Sequence, residues 1–181
     1  TTVHSDPARD YMGNPLKQAI FGSINMLALR QMDFYMAVAG RMETSLIQRG
    51  VDPQKIFVIH NGLDFSRAAD HPRHPGPQDD VVVGLAARLT PIKNIPTLLR
   101  AFAKAYQRNP RLRLKIAGTG EDEQNLRALS RQLGISQRVD FVGWVTDMQE
   151  FFSGVDINVL SSFSETFPYS LLEGACARCA A

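Results

Sequence analysis

Cysteine, blocks of like charge and long apolar runs are all scarce in this sequence, and each shortage removes a class of protein. Two cysteines, Cys176 and Cys179, are too few for a disulfide scaffold. The twenty basic residues are scattered and the net charge is only +2, which argues against a nucleic-acid surface. An anion site built from a few chosen side chains fits better. No apolar run approaches the ~20 residues that span a bilayer, and no signal peptide opens the chain. Cytoplasm is therefore the expected compartment, with peripheral contact at the inner face of a membrane still compatible with the composition. No internal repeat or low-complexity tract is present.

What remains is ordinary globular material: 181 residues, 44% hydrophobic and 21% charged. Short apolar runs alternate with amphipathic segments, which predicts an α/β fold, a Rossmann-like parallel sheet with helices on both faces. Residues 14–30 have helical spacing, with Leu16, Ile20, Ser23, Ile24 and Leu27 on one face. Strands are predicted over 34–39 and 56–60, a helix over 41–49, and a turn at Asn61-Gly62 able to take positive φ. Residues 66–80 hold three prolines, a glycine and two histidines without periodicity, so 66–79 reads as a linker between 1–65 and 80–181. The second part then runs regularly, with strands over 80–87, 112–117, 139–142 and 155–160. Helices are expected from Ile95 through Tyr106, over 121–133 and over 146–152, and again from Pro168. The chain starts on a strand-like Thr1-Thr2-Val3-His4 and ends on a helix-like segment with no terminating glycine. Both ends read as cuts, so a fragment is expected, one that could associate through exposed strand edges.

Two loops concentrate the chemistry. Ala87-Arg88-Leu89-Thr90-Pro91-Ile92-Lys93-Asn94 follows a predicted central strand and precedes a helix. A guanidinium fork, an ammonium and a helix N-terminus would there converge as a diphosphate requires. The plainer reading is a pair of solvated loop cations. The second loop, Ser164-Glu165-Thr166-Phe167-Pro168-Tyr169-Ser170-Leu171-Leu172-Glu173, also joins a strand to a helix. Its two carboxylates suit a ligand rich in hydroxyls. The plainer reading leaves Glu165 on the helix dipole and Glu173 on a solvated face.

Taken together, these loops resemble the retaining family 4 (group 1) nucleotide-sugar glycosyltransferases of the GT-B fold. Arg88 to Asn94 looks like that family's phosphate loop, and Glu165 and Glu173 match its two-glutamate motif. Asn61-Gly62-Leu63-Asp64 and Gly118-Thr119-Gly120 fall in the family's order along the chain. The resemblance implies that Arg88 and Lys93 bind the donor diphosphate and that Glu173 holds the ribose. It places Glu165 with Thr166, Phe167 and Pro168 at the transferred sugar, Gly118 and Gly120 beside the donor, and His4 as the active-site histidine. A lone histidine also has an ordinary structural reading.

The implied partners are a nucleoside-diphosphate sugar as donor substrate and a sugar, glycan, lipid-linked or polysaccharide acceptor. No separate cofactor is implied. The Asp-x-Asp of metal-dependent glycosyltransferases is absent, so no metal is expected. The alternative is a non-catalytic nucleotide-sugar-binding module. Ala87 stands where the family often has glycine. Gly118-Thr119-Gly120 lacks the third glycine of a dinucleotide fingerprint, which disfavours a nicotinamide enzyme. Cys176 and Cys179 have redox spacing but lie in a helix pattern, and Trp144 is expected to pack rather than to stack on a sugar.

Overall fold

The computed structural model describes residues 1–4, 15–65, 75–76 and 78–181. Asn14 and, of the expected linker, residues 66–74 and 77 lie outside that set. The described chain divides into two compact units, residues 1–62 with 164–168, and residues 63–163 with 169–181.

The first unit holds a parallel sheet in the order β1-β2-β3, made of Thr2–Val3, Tyr35–Ala37 and Ile56–Val58. Its helices are α1 (Pro15–Arg30) and α2 (Gly40–Gln48). Tyr35, Ala37, Met42, Leu46 and Ile56 form a small core, against which Leu29 packs. The expected apolar face of α1 is not the buried one. Leu16 (69% exposed), Ile20, Ile24 and Leu27 (62%) point outward. Gly22, Asn25, Met26 and Leu29 are instead half-buried, at the same helical spacing on another side. Nor does the Asn61-Gly62 pair take positive φ, because the chain continues extended from β3, with Asn61 N–H donating to Val38 C=O.

The second unit is a four-stranded parallel sheet of order β6-β5-β4-β7. Its strands are β4 (Val81–Ala86), β5 (Leu112–Ala117), β6 (Val139–Gly143) and β7 (Ile157–Asn158). β4 and β5 pair in register from Val81↔Leu112 to Ala86↔Ala117. Four helices serve this sheet: α3 (Ile95–Arg108), α4 (Glu123–Gln132), α5 (Met148–Ser153) and α6 (Tyr169–Cys176). The pleat of β4 explains its near-continuous apolar run. Val83 and Leu85 join a core with Leu99 and Phe102 of α3 and Leu126 of α4. Val82 turns the other way, to Phe152 of α5, Val155 and Ala177. A strand covered on both faces needs apolar residues at every position. Burying each large side chain of this kind contributes about 1.5–3 kcal/mol.

Several boundaries differ from the sequence reading, three of them for reasons visible in the backbone bonding. β7 shrinks to two residues because Val155 N–H closes a turn onto Phe152 C=O and the chain leaves the ladder after Val159. Glu121 and Asp122 precede α4 rather than opening it, since Asp122 N–H is committed to Leu89 C=O. α6 stops at Cys176 without a glycine. Arg178 takes the left-handed conformation (φ 59°), while Cys179 N–H reaches Gly174 C=O and Arg178 N–H reaches Ala175 C=O. Those two bonds are the usual helix-ending pair, completed here by an arginine. Ala180 then pairs with Ile157, beside β7.

Candidate functional site

Loops leaving the C-terminal ends of β4, β5 and β7 meet in the second unit. After β4, Leu89 is fully buried and anchors the loop, which leaves its neighbour Arg88 exposed. Leu89 N–H donates to Thr119 C=O (2.9 Å), and Asp122 N–H donates to Leu89 C=O (3.1 Å). The loop thus continues the sheet's pairing beyond the strands. Pro91–Lys93 then form a 3-10 turn, and Asn94 takes a left-handed conformation (φ 50°, ψ 37°) before α3 starts. The Thr97 hydroxyl donates to Asn94 Oδ1 at 2.8 Å, holding this entry. Arg88 and half-buried Lys93 therefore lie on one short loop leading into a helix N-terminus, where partial positive charge collects.

Gly118 and Gly120 are needed for this approach. Gly118 has φ +124°, and a Cβ there would lie 2.0 Å from Ala87 O. A Cβ on Gly120 would lie 2.3 Å from Leu89 O. Each glycine is accounted for by the backbone of the cation loop lying against it.

The loop after β7 is tied to the same segment. Ser161 Oγ donates to Lys93 C=O at 2.8 Å, and Phe163 N–H donates to Ile92 C=O at 2.9 Å. Residues 164–168, which include Glu165, Thr166, Phe167 and Pro168, group with the first unit, and all are half-buried. The chain returns to the second unit at Tyr169, where α6 begins. Pro168 thus stands just ahead of the helix rather than as its first residue.

Asn158 seats α6. It is 2% exposed, and its Nδ2 donates to Ser170 C=O at 2.7 Å. Gly174, one turn on, is buried with its absent Cβ only 2.2 Å from the same Nδ2. Glu173 comes next to that contact and lines a cleft of about 380 Å³ with Leu63, Asp64, Asp147, Gln149 and Cys176. Burial pushes the Glu173 carboxyl above its usual range. Burial, then the charges of Glu173 and Asp64, raise the Cys176 thiol. Arg88 and Lys93 do not line this cleft.

A profile of the glycosyl transferases group 1 family matches residues 66–181. This chain belongs to that family. Within group 1 it is 36% identical, over 122 residues, to the lipopolysaccharide core biosynthesis glycosyltransferase LpsE of Rhizobium meliloti. That alignment covers 66% of this chain and 35% of LpsE. It is 31% identical, over 145 residues, to a D-inositol 3-phosphate glycosyltransferase 2 of Catenulispora acidiphila, covering 70% of this chain and 34% of that protein. The group 1 chain therefore spans about a third of these relatives. Among solved structures, Anabaena Alr3699/HepE in complex with UDP and glucose superposes with a TM-score of 0.78 at 22% identity. It covers 98% of this chain and 50% of that one, and the fold is of the GT-B type.

His4 is exposed just beyond the C-terminal end of β1, in the first unit. Ala87, in place of glycine, packs its methyl against the core of the second unit. Trp144 is not packed: it is 73% exposed, because Gly143 (φ 76°) turns the chain off the end of β6. Cys179 Sγ is directed to the carbonyls of Phe152 and Val155, and both cysteines are free thiols. The cleft residues Leu63, Asp64 and Thr146–Gln149 were not legible as a group. One signal was available: Asp147 and Glu150 have capping spacing, and Asp147 Oδ1 does accept from Glu150 N–H at 3.0 Å. Among the described residues, no helix is long and apolar enough to cross a membrane.

Proposed function

We propose that this chain carries the donor half of a retaining, metal-independent family 4 glycosyltransferase. It would take a sugar from a nucleoside-diphosphate sugar and pass it to a glycan, lipid-linked or polysaccharide acceptor. The observation that supports this most is the loop of residues 88–94, held by backbone bonds to two neighbouring loops at the C-terminal edge of a parallel sheet. Open α/β sheets bind their ligands at that edge.

Arg88 and Lys93 would hold the diphosphate. Departure of a nucleoside diphosphate places negative charge on phosphate oxygens, and fixed cations at a helix entry lower that barrier. Glu173, on the cleft that also holds Asp64 and Gln149, would accept from the ribose hydroxyls. Glu165, with Thr166, Phe167 and Pro168, would face the transferred sugar, and His4 would be the active-site histidine. Gly118 and Gly120 serve the donor indirectly, by admitting the cation loop. No cofactor beyond the donor is required by this chemistry. The name of one relative, a lipopolysaccharide core biosynthesis glycosyltransferase, favours an envelope glycan as acceptor; work at the inner face of a membrane is part of the same proposal.

Calorimetric titration of the chain with UDP, GDP and ADP tests the reading. Wild type should bind one of them, and Arg88→Ala with Lys93→Ala should weaken that binding by roughly 100-fold or more. Each charge-assisted contact is worth about 1.5–3 kcal/mol. Equal binding by the double variant would refute the assignment of these cations.

A further inference from the structure

We propose that Ser161 is a positioning residue, whose hydroxyl fixes the peptide that carries Lys93 and thereby couples the cation loop to the glutamate loop. The inference rests on the donor-site reading above.

Lys93 closes a 3-10 turn, and the carbonyls at such an end lack intrahelical partners. Two consecutive carbonyls are satisfied from a single distant segment. Ile92 C=O accepts from Phe163 N–H at 2.9 Å, and Lys93 C=O accepts from Ser161 Oγ at 2.8 Å, across a separation of 68 residues. The next residue, Asn94, is left-handed, so the Lys93 peptide lies between a helical turn and a reversal. The donating segment runs directly into Ser164 and Glu165. The Ser161 hydroxyl and the Phe163 N–H thus tie the loop assigned to phosphate to the segment that precedes Ser164. Ser161 itself touches no ligand in this scheme; it acts through Lys93.

The prediction separates this role from a general contribution to folding. In titrations with whichever of UDP, GDP and ADP the full chain binds, Ser161→Ala should weaken the diphosphate roughly three- to ten-fold, the usual worth of one hydrogen bond. Ser161→Thr, which keeps the hydroxyl, should restore wild-type affinity. Binding of the corresponding nucleoside, which has no phosphate, should be the same in all three proteins. Hydrogen exchange of the ligand-free chain should show faster exchange at residues 92–94 in Ser161→Ala than in Ser161→Thr. If wild type binds a nucleoside diphosphate and Ser161→Ala binds it equally well, the inference is overturned while the donor site stands. If nucleoside affinity falls in parallel, Ser161 is merely structural and the inference is likewise overturned. Failure of the folded wild type to bind any of the three removes the donor reading, and the positioning role with it.

Discussion

The two ends of the second unit's sheet use the same cationic side chains in opposite ways. At the N-terminal end, Arg113 Nε meets Asp140 Oδ2 at 2.7 Å and Arg138 Nη1 meets Asp80 Oδ1 at 3.0 Å. Arg113 also reaches Asp80 at 3.8 Å, and Arg138 lies over the Tyr106 ring. Both guanidinium groups are held firmly protonated, Arg113 chiefly by its hydrogen bond to Asp140 and Arg138 chiefly by its hydrogen bond to the Tyr106 hydroxyl, with Asp80 adding to it. At the C-terminal end, Arg88 is exposed and makes no ion pair among the described residues. What is fixed there is the backbone, by the bond from Leu89 to Thr119 and those from Ser161 and Phe163, and by two glycines that permit close approach. Cations that serve the fold have protein carboxylates beside them. The loop at the other end holds its backbone closely while Arg88 remains available to an anion.

Breaking the backbone arrangement should have the largest effect. Gly118→Ala combines a φ of +124° with a Cβ 2.0 Å from Ala87 O, and the obstructing atom is main chain that no rotamer change can move. A loss of about 3 kcal/mol or more is expected, from strain and overpacking together. Urea unfolding would measure it, and nucleotide affinity should fall with it as the cation loop is displaced. Near-wild-type stability would show that the loops have room this geometry denies.

That dependence on glycine marks the limit of what the sequence could reveal. The order of strands and helices in the second unit was legible because a doubly covered strand and a 3.6-residue period leave strong patterns, as in Val81–Ala86 and Ile95–Arg108. The place of Arg88 and Lys93 between a strand and a helix was legible because the patterns on both sides of them are strong. The inward face of α1 was misread: apolarity marks where burial is favourable, not which side a three-stranded sheet covers. The end of α6 was missed because an arginine took a conformation normally reserved for glycine. Asn158 and Ser161 gave no signal at all, since their importance lies in partners 12 and 68 residues away.

At the opposite end of the sheet, Arg113→Ala should matter much less. Its side chain is 40% exposed and its partners are 35% and 37% exposed. Water screens such pairs, so a loss of about 1 kcal/mol or less is expected. Nucleotide affinity should not change, because the pair lies at the far end of the strands. A loss of affinity comparable to that of the Arg88→Ala, Lys93→Ala double variant would erase the division of labour between the two ends.

The smallest effect is also the one that reports on the cleft itself. Burial raises the Glu173 carboxyl in the folded chain, so the unfolded chain releases this proton first as pH increases. Below the ordinary glutamate range, near about 4.3, both states are protonated and the group is neutral towards stability. Through that range and up to the raised folded value, the unfolded state binds fewer protons. Folding stability is then lost progressively, and the loss persists at higher pH. Glu173→Gln has no proton to release, so its stability relative to wild type should increase across this window and then level off. The change is limited because the group is only half-buried. Unfolding of both proteins in urea at several pH values would measure it. Parallel curves would mean that Glu173 is as well solvated in the fold as in the open chain. The curve tests, without any ligand, whether the cleft desolvates the carboxylate proposed to accept from the ribose.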